Sequence, residues 1–272
     1  MPESTLTTST TSWWHFPPQT REVQFDEKWS FVAKKEKNCD PDDRADDFKG
    51  DTWDHVVIDA ESRLILSVVP GERTAENVVA VVADFKRRTG GRLMNLITTD
   101  GYPAYEAAIL EAYGETITPP RTGKRGRPKA PYKVAPAGLT YAVVEKTRAK
   151  GRVVSIATRV VFGTLAAVVE ALGMSDVSKA INTSFVERQN GTDRHRNARK
   201  ARKTYRFSKD WRHHEAVTYL SMYVYNFCWP VRTLRIKDEG GRWQKRSPAM
   251  AAGLADHVWS IPEWLAFPSV RR

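Results

Sequence analysis

The hydrophobic periodicity of this 272-residue chain changes at Thr74, and that change limits the folds open to it. Before Thr74 the apolar residues come in short, β-rich runs. Val23, Phe25, Trp29, Phe31 and Val32 mark a strand over 23–34, and Trp53–Ile58 and Leu64–Val69 mark two more. The last two flank Asp59-Ala60-Glu61-Ser62, a hairpin turn, so the three runs predict an antiparallel meander. After Thr74 the spacing becomes helical. Thr74 is a helix N-cap, Val78, Val81, Val82 and Phe85 line one face of Ala75–Arg88, and Gly90-Gly91 ends it. Leu93–Thr98 then reads as a buried strand running into Asp100, and a second helix covers about 103–112.

Three antiparallel strands, a helix, a strand and a helix predict an α/β fold of the ribonuclease-H-like kind: a mixed sheet flanked by helices. Active sites of open α/β sheets lie at the carboxyl ends of the parallel strands, and Asp100 stands just past one. Residues 119–138 are rich in Pro, Gly, Lys and Arg and read as a linker. Tyr141–Glu145 and Val153–Phe162 read as a β pair, and Thr164–Leu172 as a short helix. The stretch 119–180 is therefore expected to be an insertion, a small subdomain within a catalytic domain over 21–236. A basic helix over 184–203 and a further helix over 211–227 follow. Residues 1–20 read as a disordered segment, and 237–272 as a tail with no assigned structure.

Three acids stand in separate contexts: Asp26 in a strand, Asp100 at a strand end, and Glu187 at the head of the basic helix. Two-cation phosphoryl-transfer sites need such a trio, because carboxylates remote in sequence must converge on two divalent ions about 3.5–4 Å apart. Hard cations such as Mg²⁺ take oxygen ligands and keep part of their water. Each acid alone has a plainer reading. Asp100-Gly101 is a common turn dipeptide, and Ser184-x-x-Glu187 has the form of a capping box. The joint pattern favours the catalytic reading. The acidic loop 38–51 lacks the Gly and closing Glu of an EF-hand and reads as solvated. His213 and His214 are adjacent on a helix and do not share a face, so they are not a chelating pair. Trp29 and Tyr105, near the acids, leave stacking on bases open beside the default of packing.

Charge divides the chain. Residues 1–118 carry 13 Lys/Arg and 21 Asp/Glu, a net of −8, whereas 119–272 carry 30 and 11, a net of +19. A strongly basic second half points to a polyanion, most simply nucleic acid. Asn190 and Arg194 lie at i+3 and i+7 from Glu187 and share its face. Arg188, Arg196, Arg199, Lys200, Arg202, Lys203 and Arg206 extend the charge with Asp193 as almost the sole counter-charge, a pattern suited to the DNA backbone. Lys124-Arg125-Gly126-Arg127-Pro128 has the core of an AT-hook, in which Arg125 and Arg127 would lie in a narrow minor groove; generic phosphate contact is the rival. His214 is assigned to DNA or to support of the acids. No apolar run nears the ~18 residues of a membrane span, and the start lacks the pattern of a secretory signal. Cys39 and Cys228 make neither a disulfide framework nor a Cys-x-x-Cys pair. A cytoplasmic, nucleoid-associated protein is expected.

The chain resembles the DDE transposases of the first-described bacterial insertion-sequence family. The resemblance rests on Phe25-Asp26-Glu27-Lys28-Trp29-Ser30-Phe31-Val32, Gly71-Glu72-Arg73-Thr74, Thr99-Asp100-Gly101-Tyr102-Pro103-Ala104-Tyr105-Glu106, Val186-Glu187-Arg188-Gln189-Asn190 and Phe207-Ser208-Lys209 with His214, in the family's order. It implies a ribonuclease-H-like core, a need for Mg²⁺ or Mn²⁺, and cleavage and strand transfer at transposon ends. It also implies double-stranded DNA and a second copy of the chain as partners. Members typically carry an N-terminal zinc-finger and helix-turn-helix region, which this sequence lacks, so a separate N-terminal DNA-binding protein is an expected partner. Two other readings stand beside this one: a hydrolytic nuclease of the same fold without strand transfer, and a transposase remnant that only binds DNA.

Overall fold

The computed structural model describes residues 19–120 and 129–267. The protein has a ribonuclease-H-like α/β fold built on a six-stranded mixed sheet. The meander forms as its periodicity predicts: β1 (Glu22–Val32) pairs antiparallel with β2 (Gly50–Asp59), which pairs antiparallel with β3 (Ile65–Gly71). Asp59 makes the turn between β2 and β3, its Oδ1 accepting from the amides of Glu61 (2.7 Å) and Ser62 (3.1 Å). Helix α1 (Ala75–Arg88) starts at Thr74, whose hydroxyl accepts from Asn77 N. Strand β4 (Leu96–Asp100) and helix α2 (Ala104–Tyr113) follow, then a small two-stranded sheet of β5 (Glu115–Ile117) and β6 (Tyr132–Val134).

The strands β7 (Tyr141–Ala149) and β8 (Arg152–Phe162) belong to the main sheet, whose order is β3-β2-β1-β4-β7-β8. β7 lies parallel to β4, with Ile97↔Tyr141 and Asp100↔Val144 in register, and β8 lies antiparallel to β7. The apolar part of 119–180 thus lengthens the sheet, where the sequence leads one to expect a separate small subdomain. The reason lies in the four buried residues Tyr141–Val144: an apolar run this deep finds its partner beside β4. A minor core joins the stretch to β4, where Val168 and Ala171 of helix α3 (Leu165–Met174) meet Leu96 and Ala142.

Alternation along β1 sorts its side chains. Phe25 turns toward α1 and α2, with its ring 5.3 Å from Phe85 and 5.6 Å from Tyr105. Gln24, Asp26 and Lys28 turn to the other face, which helix α4 (Ser184–Arg196) covers. Helix α5 (Trp211–Cys228) lies against β3, where Asn226 bonds both the N and the O of Ile65 at 2.8 Å. That occupies backbone groups of an edge strand that would otherwise be open to pairing. A short β9–β10 ribbon (Ile236–Lys237, Trp243–Gln244) and helices α6 (Pro248–Ala251) and α7 (Ile261–Ala266) complete the chain. Trp264 of α7 joins the main core.

Two local expectations change. The basic helix, expected over 184–203, ends at Arg196. Asn197 is extended and its side chain accepts from Arg199 N, starting a 3₁₀ turn at Ala198–Lys200. The acidic loop is not wholly solvated either: Asp46 is buried and paired with Lys34 and Lys49. Among the described residues no helix is long and apolar enough to cross a membrane.

Candidate active site

Strand register brings the first two acids together. The parallel pairing of β1 with β4 runs from Glu22↔Leu96 to Gln24↔Thr98 and then stops. Asp26 and Asp100 each stand two residues beyond that last pair, so they lie level on neighbouring strands as the strands part. Adjacent strands are about 4.8 Å apart, and an oxygen of Asp26, one of Asp100 and one of Glu27 all lie within 4.8 Å of one another.

The third acid stands on α4, whose head is fixed by the same strands; Glu187 lies outside that group of close oxygens and acts on Asp26 through its charge. Gln24 Oε1 accepts from the amides of Phe185 (2.9 Å) and Val186 (3.1 Å), two of the helix's unpaired first-turn donors. Thr98 Oγ1 donates to Asn182 O at 3.0 Å. One turn further, Asn190 Nδ2 donates to Asp26 Oδ2 at 2.7 Å, and Arg194 reaches the carbonyl of Trp29 at 3.4 Å. Glu187 accepts from the Thr183 hydroxyl at 2.5 Å and pairs with Lys146 of β7. The capping box that Ser184 and Glu187 suggest does not form, because the helix is capped one residue earlier at Thr183. Glu187 is left half-exposed on the side of the site.

Electrostatics single out Asp26. Burial, followed by the charges of Asp100, Glu27 and Glu187, pushes its carboxyl up to about 7. Burial and the charge of Asp100 raise Glu27 as well, against the opposing pull of Tyr105 and Arg73. Arg73 binds Glu27 Oε2 through Nε (3.2 Å) and Nη2 (3.1 Å) and stacks on Tyr102, 4.1 Å from its centroid. A group of mutually repelling carboxylates is what a divalent cation relieves. The donors are all hard oxygens, and buried Asn190 Oδ1 has no hydrogen-bond donor among the described residues. This set fits Mg²⁺ or Mn²⁺.

Glu27 and Lys146 were not singled out from sequence. Alternation places Glu27 on the opposite face from Asp26, and only the parting of β1 from β4 lets its side chain reach the acids. Lys146 enters through the pairing of β7 with β4.

The candidate DNA-binding residues separate into three sets. Arg188, Arg202 and Lys203 are exposed, and Arg194 and Arg199 are half-buried. Lys200 and His214, expected at the DNA backbone, are both buried, which for His214 leaves the other expectation, support of the acids. Lys200 pairs with Asp54 and bonds Thr218, and His214 Nδ1 meets Ser208 Oγ at 2.8 Å. Asn190 is also buried, and its amide serves Asp26. Arg125 and Arg127 lie outside the described residues. His213, unlike His214, is exposed, so the two histidines do face apart.

Behind the acids lies a buried ionic cluster. Lys28 contacts Asp54 at 3.0 Å and pairs with Asp193, Lys200 pairs with the same Asp54, and Ser221 donates to Asp193 at 3.0 Å. Burial opposes the charge of Asp54, but Lys200 and Lys28 outweigh it and hold that carboxyl far below the usual range. Burial, reinforced by the charge of Lys200, pushes His214 down to about 4. Asp193 is therefore not a solvated counter-charge on a basic helix. It ties α4 to β1.

No family model and no curated protein matches this chain. Among solved structures, the chain is similar to the "Mos1 transposase paired-end complex with left transposon end", at 19% identity and a TM-score of 0.22. The match covers 39% of this chain and 36% of that one, so it spans about a third of that protein.

Proposed function

We propose that this protein is a DNA transposase of the DDE kind, which cuts phosphodiesters at transposon ends and joins the freed ends to target DNA with Mg²⁺ or Mn²⁺. The observation that carries this reading is the level placement of Asp26 and Asp100 on parting parallel strands, with α4 presenting Glu187 and Asn190 beside them. Asp26, Asp100 and Glu187 would hold the cations, and Glu27 lies within reach of the first two of these acids. Bound there, the cations supply charge neutralisation at the phosphoryl oxygens.

The chain's own groups set the geometry. Asn190 orients Asp26 through its amide. Lys146 holds Glu187 by charge. Arg188, Arg194, Arg199, Arg202 and Lys203 hold the DNA backbone so that attacking and leaving oxygens stand in line. Water first breaks a phosphodiester at the end and leaves a 3′-hydroxyl. That hydroxyl then attacks a target phosphodiester, forming one P–O bond as another breaks, with no covalent bond to the protein. Joining two ends calls for at least two copies of the chain.

A strand-transfer assay on supercoiled target, with DNA flanking the protein's own locus as donor, tests the reading. Joint products are expected from the wild type. Asp100→Ala and Glu187→Ala should each lower cleavage by about a hundredfold or more, the scale of losing one group that stabilises transition-state charge, while still binding duplex. Cleavage without joining would make this a hydrolytic nuclease, and binding without cleavage a DNA-binding remnant.

Duplex affinity should also depend on salt. Each phosphate contact contributes about −0.9 to the slope of log K against log salt. Arg199→Ala/Arg202→Ala/Lys203→Ala should therefore flatten the slope by up to about three such increments. Lys200→Ala is not equivalent, because Lys200 is buried against Asp54. A slope unchanged in the triple variant would place this segment away from DNA.

A further inference from the structure

Past its last pair with β4, β1 runs on from Phe25 to Val32 with one edge free of strands. The segment after α4 returns to that edge, where Ala33 N donates to Ser208 O at 2.7 Å. Between β1 and this segment lies a groove of about 590 Å³. Its wall is aromatic: Trp29 and Phe31 have ring centroids 5.8 Å apart, and Phe31 and Phe207 4.8 Å. Tyr205 stands at the rim, 95% exposed. The sides are basic, with Arg199, Arg202 and Lys203 on the returning segment and Lys35 5.7 Å over the Trp29 ring. Among the described residues no acidic one lines the groove.

A tyrosine ring held in water forgoes the burial that aromatic residues normally provide. Lys203 has φ +57, a left-handed conformation that disfavours a side-chain-bearing residue. Such local cost is characteristic of positions kept for binding.

We infer that the groove takes an unpaired nucleobase from the DNA strand bound at the acid site, an inference that rests on the DNA-processing reading above. Tyr205 offers an open ring face to a base, while Lys35 lies over Trp29 and Lys209 over Phe207; in a duplex both faces of each base are already stacked, so the occupant is a nucleotide out of the stack. The cations flank the wall where its phosphates would run. Trp29 is three residues from Asp26 along β1, about 10 Å at strand rise. Arg194 links the two places, bonding the Trp29 carbonyl while lying in the field of Asp26. The aromatic wall favours any base by stacking, with purines ahead of pyrimidines because their faces are larger.

The test is equilibrium binding by fluorescence anisotropy in EDTA, with two duplexes that differ only in their overhangs. One carries unpaired adenines, and the other carries abasic sites with the same phosphates. Wild type should bind the adenine overhang about fivefold or more tightly than the abasic one, the low end for one base on an aromatic ring. Tyr205→Ala, which removes a side chain buried nowhere, and Trp29→Ala should each bring that ratio toward one, and Trp29→Tyr should retain most of it. Equal affinity of wild type for both overhangs overturns the inference, as does a ratio kept in both alanine variants. Cleavage by the same protein with Mg²⁺ is scored separately. A base preference without cleavage keeps the groove and sinks the catalytic reading, cleavage without a base preference does the reverse, and no DNA binding sinks both.

Discussion

Asp26→Asn is expected to abolish metal-dependent cleavage and, without metal at pH 8, to melt above the wild type. The Asp26 carboxyl sits at about 7 in the folded protein, against about 3.9 for an unfolded aspartate. Between those values the folded state binds more protons than the unfolded state, so stability falls as pH rises from about 4 to about 7 and stays low above it. Asparagine carries no charge and escapes that loss, worth a few kcal/mol at pH 8, whereas near pH 4 the two proteins should melt alike. Mn²⁺ should raise the melting temperature of the wild type more at pH 8 than at pH 5.5, where a proton competes for the same oxygens. It should do little for Asp26→Asn. His214 acts in the opposite direction: depressed to about 4, it costs stability as pH falls from about 6.5. Comparing the two proteins at each pH cancels it. Thermal melts at pH 4, 5.5 and 8, with and without Mn²⁺, measure all of this. An Asp26→Asn protein that melts below the wild type at every pH would refute the account of Asp26.

The second large effect is expected from Lys28→Met. Lys28 is wholly buried between Asp54 and Asp193. Its loss leaves Asp193 without an ion pair among the described residues, bonded by the Ser221 hydroxyl, whereas Asp54 keeps Lys200. Removing one member of a buried pair costs about 3–5 kcal/mol, because the remaining charge is uncompensated. At about 2–4 °C per kcal/mol for a chain of this size, melting should fall by roughly 6–20 °C. Asp193→Asn in the same background should recover part of the loss, since the stranded charge is then gone. Cleavage should fall with stability, because Asp193 anchors the helix that carries Glu187 and Asn190. A Lys28→Met protein as stable as the wild type, or a double variant with no recovery, would show that the cluster does not hold α4.

The elements near the site were legible because local rules fix them. The alternation in β1 to β3, the Thr74 cap and the helical spacing of Ala75–Arg88 depend only on neighbours in sequence, and the helix has those bounds. Asp26, Asp100 and Glu187 stood out for the same reason, each at the end or head of a readable element. The end of α4 was less legible, since no proline or glycine stops it. The helix stops at Arg196, and past it Lys200 reaches inward to Asp54, a partner 146 residues away.

Sequence alone thus determined the order of the meander, the helices and strands up to residue 113, and the basic character of the second half. Which charges face solvent was decided by tertiary structure. Lys28 and Asp54 are cross-strand partners only once β1 and β2 are in register, and Asp193 and Lys200 reach them only once α4 docks. In the sequence these residues are indistinguishable from the exposed Arg188, Arg202 and Lys203, because burial of a charge depends on a partner from elsewhere in the chain. The placement of 141–162 was settled in the same way. A β pair can be read from its pattern, but the edge it joins cannot, because strand pairing is a choice among distant partners made by the apolar surface left open on β4.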